Sequence, residues 1–328
     1  LILKYLTEKN NMKNNIFKGL VGQSNVKKKL NFYLDAFNKT SSAPYLLFVG
    51  AKGLGKTAFA RKFAASLKNL DGGQRAMVEI NCSSLKNVNQ FFEQIILPVV
   101  LDNSVTIFFD EAHELPKDIM MALLTILDTG AKQTVSYNWQ GDNYVFDMRK
   151  NTFFFATTES DKLFPPLKDR LTPIDFEPYK GHHLAQILRK SSEEVQYNSE
   201  ALELLSDTVR GNARNAVMTA KNVILYCVSK GIKRFGIKQY DEFRDTLGVL
   251  PKGITCTERE VLEILNAKGA CTLSMLAAKT GLSSTALRCD HEKYLIRQNL
   301  MEIDTKRKIT TKGKRLIMSL NSNEQISP

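Results

Sequence analysis

The segment GAKGLGKT, Gly50 to Thr57, has the glycine spacing and the closing Lys-Thr of a loop that wraps phosphate. Gly50, Gly53 and Gly55 let the backbone curl until successive N–H groups point at one anion, at the start of a helix. Lys56 would neutralise β- and γ-phosphate charge, and the Thr57 hydroxyl would ligate magnesium. Further on, VTIFFDEAHEL closes an apolar run with Asp110 and Glu111. Asp110 suits the water shell of a bound magnesium ion, and Glu111 suits orienting and polarising an attacking water. The apolar run marks a strand end, which a solvated acid pair would not need. His113 reads as an ordinary residue at the start of a loop. Thr157 and Thr158 follow the run TFFFA and are suited to contact the γ-phosphate or the water. In PLKDR, Arg170 ends a loop, where a cation could reach a neighbouring subunit's nucleotide. RGNARNA puts Arg214 early in a helix.

These residues need rigid elements behind them. YLLFV (45–49), MVEI (77–80), VTIFF (105–109) and TFFFA (152–156) read as buried strands of a parallel sheet. Residues 56–67, 88–97 and 118–127 carry helical spacing between them, so 1–180 is expected to be a three-layer α/β domain. Residues 181–250 repeat the helical spacing, with Leu184, Ile187 and Leu188, then Leu202, Leu205 and Val209, as examples. GVLPKG (248–253) reads as a linker.

The remaining stretch, 251–328, holds a helix at 273–279, a Thr280-Gly281-Leu282 turn, and a second helix capped by Ser283 or Ser284. That is helix-turn-helix grammar. The alternation around a basic turn at 304–308 reads as a wing. Lys306, Arg307, Lys308, Lys312, Lys314 and Arg315 bring six cations and no acid between residues 305 and 315. Phosphate contact is the natural use, with Lys306, Arg307, Lys308 and Lys312 as the candidates; a protein-docking module is the other reading. The tail, 321–328, is polar and expected to fray.

An insert at 133–148 carries a hairpin signal: TVSYNW alternates, QGDN turns, and YVFDM alternates back. Val135, Tyr137 and Trp139 share one face, and Tyr144, Phe146 and Met148 share a face of the return strand. These aromatics either dock a partner or pack on their own domain.

The totals narrow the class. The chain has 328 residues, enough for two or three domains of roughly 100–200 each. With 43% apolar and 24% charged residues it is no disordered chain. No apolar run approaches the ~18 residues of a membrane span, and LILKYLTEKNNMKNN shows no secretory signature. A net charge of +12 favours a polyanionic partner. Five cysteines without a CxxC pair point to free thiols in a reducing cytosol, without a zinc module.

The order of strand, phosphate loop, Asp-Glu, threonine, arginine, helical segment and arginine resembles the AAA+ ATPases. Within them it is similar to the RuvB family of Holliday-junction branch migration motors. LVGQSNVKKKL, GLGKT, FATTES, PLKDR, GNARNA and HEKYLIRQNLMEIDTKRKIT carry the resemblance, from about residue 17 to 314. It implies a P-loop AAA+ core over 1–180, a helical lid over 181–250 and a winged helix over 251–328. ATP and Mg2+ are the implied ligands, with Leu20 and Val21 against the adenine. Thr158 would be the sensor-1 residue, Thr157 the second candidate, Arg214 the sensor-2 arginine of the lid, and Arg170 an arginine finger acting in trans. The implied protein is cytosolic, forms a hexameric ring and drives double-stranded or branched DNA, docking a RuvA-like protein through Tyr137, Trp139 and Tyr144. A helicase loader, clamp loader or replication initiator that uses ATP as a switch is the alternative. The chain departs from the family in Ala51-Lys52, where two prolines are common, and in TKRK at the wing.

Overall fold

The structure, a computed structural model, describes residues 16–69, 71–127, 134–147 and 149–324. The N-terminal stretch read for a secretory signal, Met148, and residues 325–328 of the tail lie outside the described residues. No described helix is long and apolar enough to cross a membrane. The contacts group into two compact units. One runs to Glu194 and takes in Gly211–Leu225; the other comprises Val195–Arg210 and Tyr226 onward.

The first unit opens with α1 (Ser24–Thr40), followed by β1 (Leu46–Val49), α2 (Lys56–Ala64) and β2 (Ala76–Asn81). A short α3 (Val88–Phe91) runs into the π-helical stretch Phe92–Val100 and leads to β3 (Val105–Asp110) and α4 (Lys117–Ile126). One helix over 88–97 was expected; Pro98, which has no N–H to give, falls inside the π stretch. The hairpin strands β4 (Thr134–Trp139) and β5 (Asp142–Asp147) come next, then β6 (Asn151–Thr157), α5 (Pro165–Lys168), β7 (Thr172–Asp175) and α6 (Gly181–Ser191).

The sheet runs β2-β3-β6-β1-β7, with every pairing parallel. Four of its strands are those the apolar runs mark. The fifth, β7, is TPID, whose proline hides it from a strand pattern. It is tolerated because β7 is an edge strand paired only to β1. Phenylalanine fills both faces: Phe48, Phe108, Phe109, Phe153, Phe154 and Phe155 are fully buried, and Phe109 stacks on Phe155 at 4.9 Å. Register then does the positioning. Val49 pairs with Thr157 and Phe109 with Phe155, so β1, β3 and β6 end side by side.

The hairpin forms as its alternation requires, Tyr137 opposite Tyr144 and Val135 opposite Phe146. Its turn is tighter than QGDN: Gln140 and Gly141 take φ of 51° and 93°, the two-residue geometry that suits strand twist. The aromatic face packs on its own domain, with Tyr137, Trp139 and Tyr144 each left partly exposed. Tyr137 and Trp139 stack on Phe92 at 4.9 and 5.1 Å, and Trp139 Nε1 donates to Asn89 Oδ1 at 3.4 Å. Tyr144 packs on the same core and Phe146 is fully buried. Apolar rings gain more from Phe92 and its neighbours than from water. Ser136, Asn138, Asn143 and Val145 form the outward face.

In the second unit β8 (Gln196–Tyr197) pairs with β9 (Arg234–Phe235), around α7 (Ser199–Thr208) and the later part of α8 (Ala213–Lys230), followed by α9 (Ile237–Leu247). Then α10 (Cys256–Lys268), α11 (Leu273–Thr280), and a helical run through α12 (Ser284–Ala286), Leu287–Glu292 and α13 (Lys293–Arg297) lead into β10 (Met301–Ile303) and β11 (Arg307–Ile309). Ser283 caps the second helix of the helix-turn-helix, accepting from Ala286 N–H at 3.1 Å. The chain does not end on the hairpin. Helix α14 (Thr311–Glu324) lays Leu316, Ile317 and Leu320 onto the core of Val261, Leu262, Leu265, Leu287 and Leu295.

The segment read as a linker is a packed joint. A Cβ on Gly253 would stand 2.0 Å from the Thr208 carbonyl oxygen at the end of α7, and its φ is +63°. Beside it Arg210 donates to the fully buried Glu258 carboxylate at 2.7 Å and stacks on the Tyr294 ring at 3.7 Å. Tyr294 in turn donates to the Lys252 carbonyl, and burial pushes its hydroxyl up to about 12. Glu258 also closes the α10 capping box, accepting from Thr255 N–H at 2.9 Å. Gly231 has nearly the same φ, +65°, and open space where a Cβ would go. Gly231→Ala should therefore cost only the left-handed backbone penalty, roughly 1–2 kcal/mol. Gly253→Ala should lower stability further, by roughly another 1–3 kcal/mol, read as the midpoint difference in urea or thermal unfolding.

Candidate active site

Strand β1 delivers the chain into a loop where Gly50, Gly53 and Gly55 have φ of 155°, 80° and 96°. Only glycine fits at Gly53, where a Cβ would lie 2.1 Å from Asn212 Oδ1. Gly55 is the N-cap of α2 and offers no side-chain acceptor to the first turn. Those N–H groups thus remain available to an anion, reinforced by the helix dipole. Lys56 is buried, its Nζ donating to the carbonyls of Gly50 (2.7 Å) and Ala51 (3.2 Å). Burial holds the ammonium below the usual lysine range, assisted by Arg214 and Lys52 and opposed by Glu111 and Asp110. A polyanion arriving here would favour the charged form.

The acidic pair stands opposite. Thr57 Oγ1 donates to Asp110 Oδ2 at 3.4 Å, bringing together two hard oxygen donors of the kind Mg2+ prefers. Glu111 has φ +54°, a strained turn for a non-glycine residue. The turn is held by its N–H bond to Asp110 Oδ1 at 3.0 Å and by Glu114 N–H on its carbonyl at 2.9 Å. The two threonines divide: Thr158 donates to Glu111 Oε2 at 3.3 Å, whereas Thr157 is fully buried and lies 3.0 Å from His113 Nδ1.

Around this centre is a cavity of about 480 Å3, lined by Leu20, Val21, Gly53, Gly55, Lys56, Thr57, Asp110, Glu111 and Arg214 among others. Of the nucleotide and metal candidates read from the sequence, only Gly50 is off the lining; it serves through its carbonyl on Lys56. Arg214 sits in the first turn of α8, whose start is fastened to the loop: Asn212 Nδ2 donates to Lys52 O at 3.0 Å and Arg214 N–H to Gly53 O at 3.3 Å.

The apolar end also holds Tyr179, Ile187 and Lys190, which sequence reasoning missed. Ile187 showed only as one more apolar position of α6, and periodicity cannot say that a buried face ends at a ligand. Lys190 donates to Gly19 O and Lys27 to Leu20 O, each at 2.6 Å, fixing the loop that carries Leu20 and Val21.

Arg170 is not on the cavity wall. It follows α5, half-buried, with Nη1 donating to Pro166 O at 3.2 Å. The wing cations also differ among themselves. Lys306 is exposed, Lys308 lies 3.6 Å from Asp304 at an exposed pair, and Lys312 donates to Gln298 O. Arg307 belongs to β11, not to the turn, and departs from the expected phosphate contact: it forks onto the buried Glu292 at 2.8 and 3.3 Å. Leaving Glu292 unpaired in that interior would be costly.

Residues 46–179 match the model of the ATPase family associated with various cellular activities (AAA). The chain is 24% identical over 303 residues to the Holliday junction branch migration complex subunit RuvB of Thermosipho melanesiensis, covering 89% of this chain and 93% of that protein. It is 27% identical over 316 residues to the protein of the same name from Prochlorococcus marinus, covering 93% and 87%. Among solved structures, the Thermotoga maritima RuvB Holliday junction branch migration motor superposes with a TM-score of 0.73 at 24% identity, over 91% of this chain and 95% of that one. The Aeropyrum pernix ORC2 protein shares the fold at a TM-score of 0.57 and 14% identity.

The separation of duties in the cavity has a direct readout. Glu111→Gln keeps Lys56, Thr57 and Asp110 for binding but loses the carboxylate that would polarise water. It should hold a fluorescent ATP analogue with unchanged affinity while turnover drops by a factor of 10² or more, on the order expected for a lost acid–base group. Turnover at the wild-type rate would remove Glu111 from the chemistry.

Proposed function

We propose that this chain, a diverged RuvB-like AAA+ ATPase, couples ATP hydrolysis to the movement of double-stranded or branched DNA, as in branch migration of Holliday junctions. The supporting observation is a cavity that gathers a phosphate loop, an Asp-Glu pair, a threonine and a second-helix arginine, yet leaves Arg170 off its wall. A site so built is completed by a neighbour. The copies then form a closed ring, a hexamer in this reading, because head-to-tail contacts close when the rotation permits.

Within each subunit the first-turn N–H groups of α2 and the Lys56 ammonium hold the triphosphate, and Leu20, Val21, Tyr179 and Ile187 take up the base. Thr57 and Asp110 would hold Mg2+, which when bound supplies charge neutralisation on the phosphates. Glu111 orients the attacking water and receives its proton, with Thr158 setting the direction of the carboxylate. Arg214 registers the γ-phosphate from α8, and Arg170 of one subunit meets charge developing on the nucleotide of the next.

The DNA contact falls to the wing and the exposed basic residues after it. Lys306, Lys308 and Lys312 reach solvent, and phosphate contacts of this kind tolerate any sequence. A protein of RuvA type would meet the outward face of the β4–β5 hairpin, where Val145 is exposed, while the aromatics anchor that arm. The protein acts in the cytosol in this reading.

The test of the whole is ATP turnover and four-way-junction unwinding by the purified chain, with and without a RuvA-like protein. Hydrolysis that ignores DNA and moves no junction would favour a nucleotide switch of the loader type. Two narrower outcomes follow. Arg170→Ala should bind ATP normally and turn over on the order of 10³-fold more slowly. Mixed with Glu111→Gln subunits it should regain part of its activity, because some interfaces again join an intact Glu111 to an intact Arg170; co-assembled mixtures that stay inactive would place Arg170 in a structural role. Lys306→Glu combined with Lys308→Glu should weaken duplex binding. It should also flatten the logarithmic salt dependence by roughly 0.9 per lost phosphate contact, measured by fluorescence anisotropy at several salt concentrations.

A further inference from the structure

His113 follows the acidic pair and reads as a loop residue, yet its side chain is only 7% exposed. It lies on the short 3-10 turn Ala112–Glu114 after β3, between that turn and the end of β6. Nε2 faces Glu114 Oε1 at 3.4 Å. A carboxylate can only accept, so a ring proton on Nε2 would face it and leave Nδ1 to accept. Nδ1 lies 3.0 Å from Thr157 Oγ1. That hydroxyl already accepts from Glu159 N–H at 3.0 Å, so its proton is free to be donated to the ring. A continuous chain results, from Glu159 N–H through Thr157 Oγ1 to the His113 ring, tying the end of β6 to the turn that follows Glu111. The next residue on β6, Thr158, donates to Glu111 Oε2. Glu111 itself occupies a strained turn, and such a conformation persists only where several tethers agree.

We propose that His113 is a positioning residue for ATP hydrolysis: through Thr157 it fixes the end of β6 against the β3 turn, and so sets the line between the Thr158 hydroxyl and the Glu111 carboxylate. Its side chain is not among those that line the cavity. Its ring stands 3.7 Å from Glu111 Oε2, too far for a hydrogen bond, so its effect passes through the strand. The inference rests on Glu111 as the residue that orients water.

The experiment compares His113→Leu, His113→Asn, Thr157→Val, the His113→Leu/Thr157→Val double variant, and Glu111→Gln. ATP turnover, affinity for a non-hydrolysable ATP analogue and the thermal midpoint are read for each. His113→Leu removes the acceptor; His113→Asn keeps one near the place of Nδ1. Turnover in His113→Leu should fall by roughly 10–100-fold, as for a displacement of about 1 Å at the reacting groups, with analogue affinity unchanged. His113→Asn should recover most of it. Thr157→Val should match His113→Leu, and the double variant should be no worse than either, since both break one chain. Full turnover in His113→Leu while Glu111→Gln is inactive overturns this proposal and leaves the site reading intact. Full turnover in Glu111→Gln overturns the site reading first. If turnover, affinity and thermal midpoint all fall together and His113→Asn rescues none of them, His113 is a packing residue and no more. Losses that add in the double variant overturn the shared chain.

Discussion

The uncapped first turn of α2 is the constraint from which the rest of the α/β unit follows. A helix that starts on glycine leaves several N–H groups without an internal partner, and a buried lysine beside them has only loop carbonyls to bond. Such an arrangement holds its shape because the strand before it and the helix after it are packed in phenylalanine. It also determines which side of the sheet can work. All five strands are parallel, so their carboxyl ends share one edge, and every group with chemistry in it leaves the sheet there: the loop after β1, the acids after β3, the threonines at the end of β6.

The consequence is a division of labour by strand. The loop after β1 carries the uncapped N–H groups and Lys56, the end of β3 carries Asp110 and Glu111, and the end of β6 carries Thr158, whose hydroxyl donates to Glu111. The helix that begins at Ala213 closes on the loop through Asn212, so the arginine it carries reaches the cavity by way of two backbone-directed bonds. A sheet register slip of one residue would undo all of this at once, because alternate side chains would exchange faces.

The sequence showed the site well because loops that bind phosphate and strand-end acids are local patterns: GAKGLGKT and FFDE need only their neighbours to be recognised. What stayed hidden depends on contacts distant in the chain. β7 is invisible because Pro173 contradicts a strand, and only its edge position makes it admissible. His113 and Thr157 are 44 residues apart, and nothing in either neighbourhood announces their bond. Tyr137 and Trp139 could be placed on one face by alternation, but the direction of that face was decided by Phe92. Arg307 looked like one cation among six until Glu292, fifteen residues earlier and buried, claimed it. Helix α14 is masked in the sequence because its apolar residues follow directly on the basic stretch Lys312–Arg315.

The joint around Gly253 bears on how portable the C-terminal module is. A tether of any length and composition would let one such module be exchanged for another. Here the seam has a side-chain lock on both sides: Arg210 comes from the turn after α7, Glu258 and Tyr294 from the module, and the glycine between them leaves no room for a spacer. A donor module would graft cleanly only if it brought a buried acid in the first turn of its first helix and an aromatic ring facing it. Without these the transplanted piece would fold on its own core yet hang loosely from its host. The seam thus couples the two parts through side chains, so a substitution on one side of it disturbs the packing of the other.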